Sequence, residues 1–144
     1  MTKSFDLQIA EWVGQTEDDI KFVAAEATQD LMEAAQTPQH GVKVTGGSFE
    51  IGKIPVDDHD LINSLKSSLN GSPVDEGEFC YGVAISGFEL GDEISFEWTA
   101  QHALPIDQGF TAENGTQVPG RHFVGYNVGR WQEFVDGAVA RARK

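Results

Sequence analysis

The sequence predicts an α+β domain: an antiparallel sheet packed against a long N-terminal helix and a C-terminal helix, with long loops between elements. Three observations carry this expectation. Apolar residues recur every three or four positions within Thr16–Ala35 and again within Val124–Arg143, the period of a one-sided helix. Glu93–Ala100 alternates, with Ile94, Phe96 and Trp98 on one strand face. Two glycine-bearing polar stretches, 39–53 and 109–120, keep neither period. With 144 residues, 40% of them hydrophobic, the chain has the apolar mass for one core and reads as a single domain, residues 1–144.

The elements follow in order. Phe5, Leu7 and Ile9 alternate like a strand, whereas Ile9, Trp12 and Val13 space like a helix; a short helix is expected. Thr16 is a candidate N-cap for the long helix, because Glu17, Asp18 and Asp19 put negative charge on its first turn. Thr37-Pro38 closes that helix. A second, short helix is expected over about 58–68, with Leu61, Ile62, Leu65 and Leu69 on its apolar side and Asn70-Gly71 at its end. After a turn at Ser72–Gly77, Phe79–Leu90 reads as a strand through Phe79, Tyr81, Val83 and Ile85, pairing with Glu93–Ala100 as a hairpin. In the closing helix Val128, Trp131, Val135, Val139 and Ala142 form the apolar stripe. Trp98 and Trp131 are expected in the core between sheet and helix, and Trp12 as a core anchor.

The net charge of −13 argues against nonspecific nucleic-acid binding, which needs surplus cations to displace counterions from phosphate. It also disfavours an anionic lipid surface. The charge is split. Residues 1–120 hold 5 basic and 21 acidic side chains, −16 in all, while residues 121–144 hold 5 basic and 2 acidic, +3. Arg130, Arg141, Arg143 and Lys144 in that basic segment are candidate contacts to an acidic neighbour, including a second copy; alternatively they offset the dipole of the last helix. No apolar run approaches the ~18 residues that span a bilayer, and the first residues lack a signal-peptide core, so no membrane partner and synthesis in a cytoplasm are expected.

No catalytic constellation emerges. Asp57-Asp58-His59-Asp60 is dense, but neighbouring positions point apart on a helix, and helix-start acids explain it, with Asp57 or Asp58 as N-cap. His40, His59, His102 and His122 show no metal-ligand spacing. A single cysteine, Cys80, flanked by Phe79 and Tyr81, reads as a buried inert thiol and excludes an internal disulfide. Gly46-Gly47-Ser48 lacks the pattern of a phosphate loop. The expectation is a protein without catalytic residues, cofactor or metal.

Three segments, in order, resemble a known family. Ile54-Pro55-Val56-Asp57-Asp58-His59-Asp60-Leu61-Ile62-Asn63-Ser64-Leu65 is similar to the P-V-D-T-G-x-L-R-x-S-L signature of neck proteins of long-tailed double-stranded DNA bacteriophages. These are minor tail components, also called tail-completion or head-tail joining proteins, and occur in prophages and gene transfer agents. Phe96-Glu97-Trp98-Thr99-Ala100, with Ala103 and Ile106-Asp107-Gln108-Gly109, resembles the family's W-x-A-x-Y-A-x-x-V-E-x-G strand. Gly120-Arg121-His122-Phe123-Val124, followed by Trp131, resembles its closing G-R-x-F/W-V and final helix. The matching positions are Pro55, Val56, Asp57, Leu61, Ser64, Trp98, Gly109, Arg121, Phe123 and Trp131. This chain has Asp58-His59 where the family has Thr-Gly, Ile62 for Arg and Leu104-Pro105 for Tyr-Ala; glycine adopts a positive φ readily, histidine less so.

The resemblance implies a non-enzymatic virion protein that forms a homo-oligomeric ring in the head-tail neck, at the tail-completion or tail-terminator position. Six-fold symmetry is preferred, with twelve-fold as the alternative. Its partners would be itself, neighbouring neck, connector and tail-tube proteins, and DNA in transit without sequence-specific contacts. An acidic channel would repel phosphate, so that DNA slides. The glycine-rich 39–53 stretch would order against an adjacent ring, or remain an exposed connection. The charge alone also permits an acidic adaptor that masks a basic partner.

Overall fold

The alternating spacing of four and three through Ile9, Val13, Thr16, Ile20, Val23 and Ala27 runs unbroken along one helix, α1 (Phe5–Ala35), in the computed structural model, which describes residues 5–41, 49–57 and 59–143. The expected short first helix and the long second one are therefore continuous. Thr16 is not an N-cap; it lies inside α1, where its Oγ1 donates to the Trp12 carbonyl at 2.9 Å. The apolar stripe continues upstream of Thr16, so helix propagation wins over capping.

Beyond α1, β1 (Pro38–His40) and β2 (Ile54–Val56) pair in parallel. The Gln39 side chain bonds the backbone of Glu50 and Lys53, tying down the ends of the 39–53 stretch, whose glycine-rich centre lies outside the described residues. α2 (Asp60–Asn63) is only four residues long, and β3 (Leu65–Leu69) follows where the second helix was expected to continue. A spacing of four between Leu65 and Leu69 fits both periods. Ser67, the buried residue between them, hid the alternation by being polar; its Oγ donates to the Cys80 carbonyl at 3.0 Å.

Asn70-Gly71 does not end a helix but turns a hairpin, with φ of 52° and 83°, into β4 (Ser72–Glu76), which replaces the expected turn. β4 is exposed throughout and carries Pro73, Asp75 and Glu76, which discourage pairing along its outer edge. The stretch expected as a strand over Phe79–Leu90 contains a helix, α3 (Tyr81–Gly87). Tyr81, Ala84 and Phe88 are buried at helical spacing, while Phe79 and Val83 face outward. β5 (Ile94–Trp98) matches the expected strand, but its partner is β3 and not the preceding segment; the sheet order is β4-β3-β5, all antiparallel. The register sets Leu65, Ser67 and Leu69 opposite Trp98, Phe96 and Ile94.

α4 (Ala103–Gln108) leads into β6 (Gly109–Thr111) and β7 (Gln117–Pro119), a small hairpin in what was expected to be loop. The closing helix is broken at Arg130 into α5 (Gly125–Gly129) and α6 (Trp131–Ala142). α6 packs along α1, not on the sheet: Phe134 and Ala138 are buried with Ala27, flanked by Val23, Leu31 and Ala34. Met32 on α1 meets Leu65, Cys80 and Tyr81, which fastens the helix to the sheet. Ile54, Leu61, Ile62, Ile106 and Phe123 form the remaining core cluster. The fold is α+β.

Candidate functional site

Four of the motif positions, Val56, Leu61, Trp98 and Phe123, come from separate stretches of chain and meet in one core cluster. Val56, Trp98 and Val124 pack against Leu61 and Phe123, and the Trp98 and Phe123 rings meet edge to face with centroids 5.3 Å apart. Pro55 is buried on β2. Ser64 ties the first segment to the second: its carbonyl accepts both the Thr99 N–H and the Thr99 hydroxyl at 3.0 Å. Asp107 ties the second to the third, its carboxylate accepting the Val124 N–H at 2.9 Å and the Gly125 N–H at 3.3 Å where α5 begins.

Two glycines permit the approach between these segments. Gly109 sits at φ 94°, and a Cβ on Gly120 would lie 2.6 Å from the Asp107 carbonyl oxygen. Neither position has room for a side chain.

Arg121 is buried at 7% exposure, with its guanidinium 4.0 Å from the Phe49 ring centroid and one nitrogen donating to the Pro119 carbonyl at 2.8 Å. Its Nε has no hydrogen-bond partner among the described residues. Burial pulls the guanidinium below the ordinary arginine value, and the Asp57 carboxylate works against that shift. A Cβ on Gly41 would collide with the Asp57 carboxyl group. These contacts make Arg121 a brace joining Phe49, the end of β7 and the approach to α5.

His59 takes φ 69°, the left-handed conformation, directly before α2. This is the position at which the resembling family carries glycine. His59 makes no side-chain cap bond to α2, Asp57 is exposed, and Asp58, the other expected cap, lies outside the described residues. The N-cap position of α2 is thus His59 and neither of the expected acids, Asp57 lying two residues before it.

Other expected residues lie elsewhere. Trp131 is 42% exposed on α6, away from the cluster, and Trp12 is 65% exposed on α1, so neither is a core anchor. Trp98 is half-buried, bridging two core clusters. Of the basic segment, Arg141 pairs with Asp30 at 2.7 Å and Glu26 at 3.6 Å, both on α1. Arg130 pairs with Glu133 at 2.7 Å and lies over the Phe134 ring. Arg143 caps the end of α6, and Lys144 is outside the described residues.

Cys80 is buried, and desolvation raises its thiol above the ordinary value; its Sγ donates to the Leu65 carbonyl at 3.4 Å. Among the described residues no group of three or more His, Cys, Asp or Glu is placed to hold a metal ion, and no helix is long and apolar enough to cross a membrane.

Sequence reasoning missed Gln36 and Asn127. Gln36 donates to the Ile62 and Glu78 carbonyls and accepts the Trp98 indole N–H at 2.9 Å. Asn127 donates to Gly52 and Phe123 carbonyls, each at 2.7 Å. Both are buried polar side chains wired to backbone, and nothing in their local sequence marks them. Compared with known proteins, the chain matches no family model, no curated protein and no solved structure.

Proposed function

We propose that this chain is a non-enzymatic structural protein of a phage-like particle, one of the rings in the head-tail neck through which DNA passes. The observation that carries the reading is the convergence of Val56, Leu61, Trp98 and Phe123, residues of three separate motifs, on one packed cluster. The left-handed His59 at the family's glycine position supports the same reading, because the turn that glycine would favour is present without it.

The ring is homo-oligomeric, six-fold in preference to twelve-fold, with neighbouring neck, connector and tail-tube proteins above and below. Its charge of −16 over residues 1–120 keeps transiting DNA from adhering to the wall. The assignment is tested in the particle by cryo-electron microscopy. The expected density is a ring of this chain in the neck with acidic side chains towards the channel. Density on the capsid surface, or absence from virions, overturns it. Capture of a single basic partner by the free protein, with no particle association, favours an acidic adaptor instead.

A further inference from the structure

The last turn of α1 carries a carboxylate where the helix dipole disfavours one. Glu33 lies there, no basic residue shares the turn, and the peptide dipoles leave partial negative charge at that end. The Gln29 amide donates to one Glu33 oxygen at 2.8 Å, which leaves the charge itself unneutralised. Just ahead of α3 stands Glu78, a half-buried carboxylate with no side-chain partner among the described residues. None of the ion pairs among the described residues involves either group.

Glu33 and Glu78 line one groove of about 560 Å³ together with Phe79 and Tyr81, and among the described residues no lysine or arginine lines it. Phe79 is 68% exposed and meets the Tyr81 ring edge to face, with centroids 6.4 Å apart. Tyr81 itself is only 5% exposed, yet its hydroxyl makes no hydrogen bond among the described residues. A buried phenol is ordinarily hydrogen-bonded, so an open one on a groove wall marks a place for a polar ligand atom. Burial first, then the Glu33 and Glu78 charges, raise its pKa, which puts both carboxylates within electrostatic reach of the phenol.

These groups select a cation with an apolar stem. The carboxylates supply charge and hydrogen-bond acceptors, the phenol oxygen another acceptor, and Phe79 a π face. Guanidinium fits better than ammonium, because its planar fork donates to several acceptors at once, stacks on aromatic rings and is more weakly hydrated. A free amino acid would bring its own carboxylate into this negative field, whereas an arginine within a polypeptide brings none. In the basic segment of this chain Arg121 is buried and Arg130 and Arg141 are paired internally, which leaves a different protein as the better source.

We propose that the groove receives an arginine side chain of a partner protein, with its guanidinium against Glu33 and Glu78 and its stem along Phe79. The contact does not depend on the neck reading, and either can fail alone.

The test is a titration of isotope-labelled protein followed by amide NMR shifts, with the blocked tripeptide acetyl-Gly-Arg-Gly-amide as probe. Shifts are expected at Glu33 and from Glu78 to Gly82, with a Kd on the order of 1–10 mM, as for one partly exposed charge pair and a ring contact. The citrulline peptide keeps the shape and loses the charge, and free guanidinium ion lacks the stem; each should bind roughly tenfold more weakly. Glu78→Gln and Phe79→Ala, the latter at a largely exposed site that leaves the fold intact, should each weaken the arginine peptide roughly tenfold. Absence of shifts, equal binding of the citrulline peptide or of guanidinium ion, or no response to either substitution overturns the proposal. Concentration-dependent shifts of the same signals in the protein alone, abolished by Arg143→Ala, give the groove to a second copy and overturn the choice of partner. The virion density described above decides the neck reading and has no bearing on these shifts.

Discussion

Replacing Gln36 with Leu tests whether one buried amide holds the two main core clusters together. The side chain is 3% exposed and makes three hydrogen bonds: Nε2 donates to the Ile62 carbonyl at 2.9 Å and the Glu78 carbonyl at 3.0 Å, and Oε1 accepts the Trp98 Nε1–H at 2.9 Å. Leucine is of similar size, so little cavity forms, but three polar groups lose their partner. At about 1 kcal/mol each, and more for the buried Ile62 carbonyl, the loss is about 2–4 kcal/mol after the gain from burying leucine. Urea unfolding followed by far-UV circular dichroism measures it, with the m-value unchanged. Trp98→Phe removes the same indole bond from the other side. In the double variant that bond is lost once rather than twice, so the combined cost should fall short of the sum by about 1 kcal/mol. Additivity within about 0.3 kcal/mol would refute the reasoning, since it would mean that water serves the indole and the amide equally well.

The two other predictions on tryptophan and backbone separate buried from exposed sites. Trp98→Ala should cost about 3–5 kcal/mol in the same unfolding assay, whereas Trp131→Ala, at a site 42% exposed, should cost about 1 kcal/mol in dilute solution. Asn70→Ala should cost about 2 kcal/mol, because alanine resists the φ of 52° and drops the bonds to Asp92 and the Glu93 N–H; Asn70→Gly should cost less, since glycine keeps the turn. Cys80 and Tyr81 both have pKa values raised, chiefly by burial. A raised folded value favours the neutral form, so this contribution is complete below the unfolded values and is lost as pH rises through the folded ones. Thermal midpoints should therefore decline above about pH 9, and the Cys80→Ser, Tyr81→Phe variant should show a shallower decline.

Periodicity was most reliable where one period held over a long stretch. The α1 stripe and the Ile94–Phe96–Trp98 strand face are both legible in the sequence, because burial on one side of a regular element imposes a single spacing. Short segments defeated it. Leu65 and Leu69 satisfy helix and strand alike, and Tyr81, Val83 and Ile85 alternate although α3 buries Tyr81 and Ala84. Asn70-Gly71 is a strong hairpin signal, but it was outweighed by an apparent helix that tertiary pairing with β5 dissolves. In the candidate site, the motif residues could be named from the sequence. Gln36 and Asn127 could not, since a buried amide is defined by the carbonyls it finds from distant segments.

The sequence by itself determined the α+β class, the charge split, the long helix and the motif positions, because each depends on residue type and local spacing. Tertiary structure decided which strand pairs with β3, where α6 lies, and that Trp98 is packed while Trp12 and Trp131 are open to solvent. It also decided that Arg141 reaches Asp30, so a charge that could have faced a neighbour is engaged within the chain. The physical reason is that an apolar stripe states only that a helix face can be covered. How far it is covered depends on the length and placement of the element laid against it, and here α6 stops well short of the start of α1.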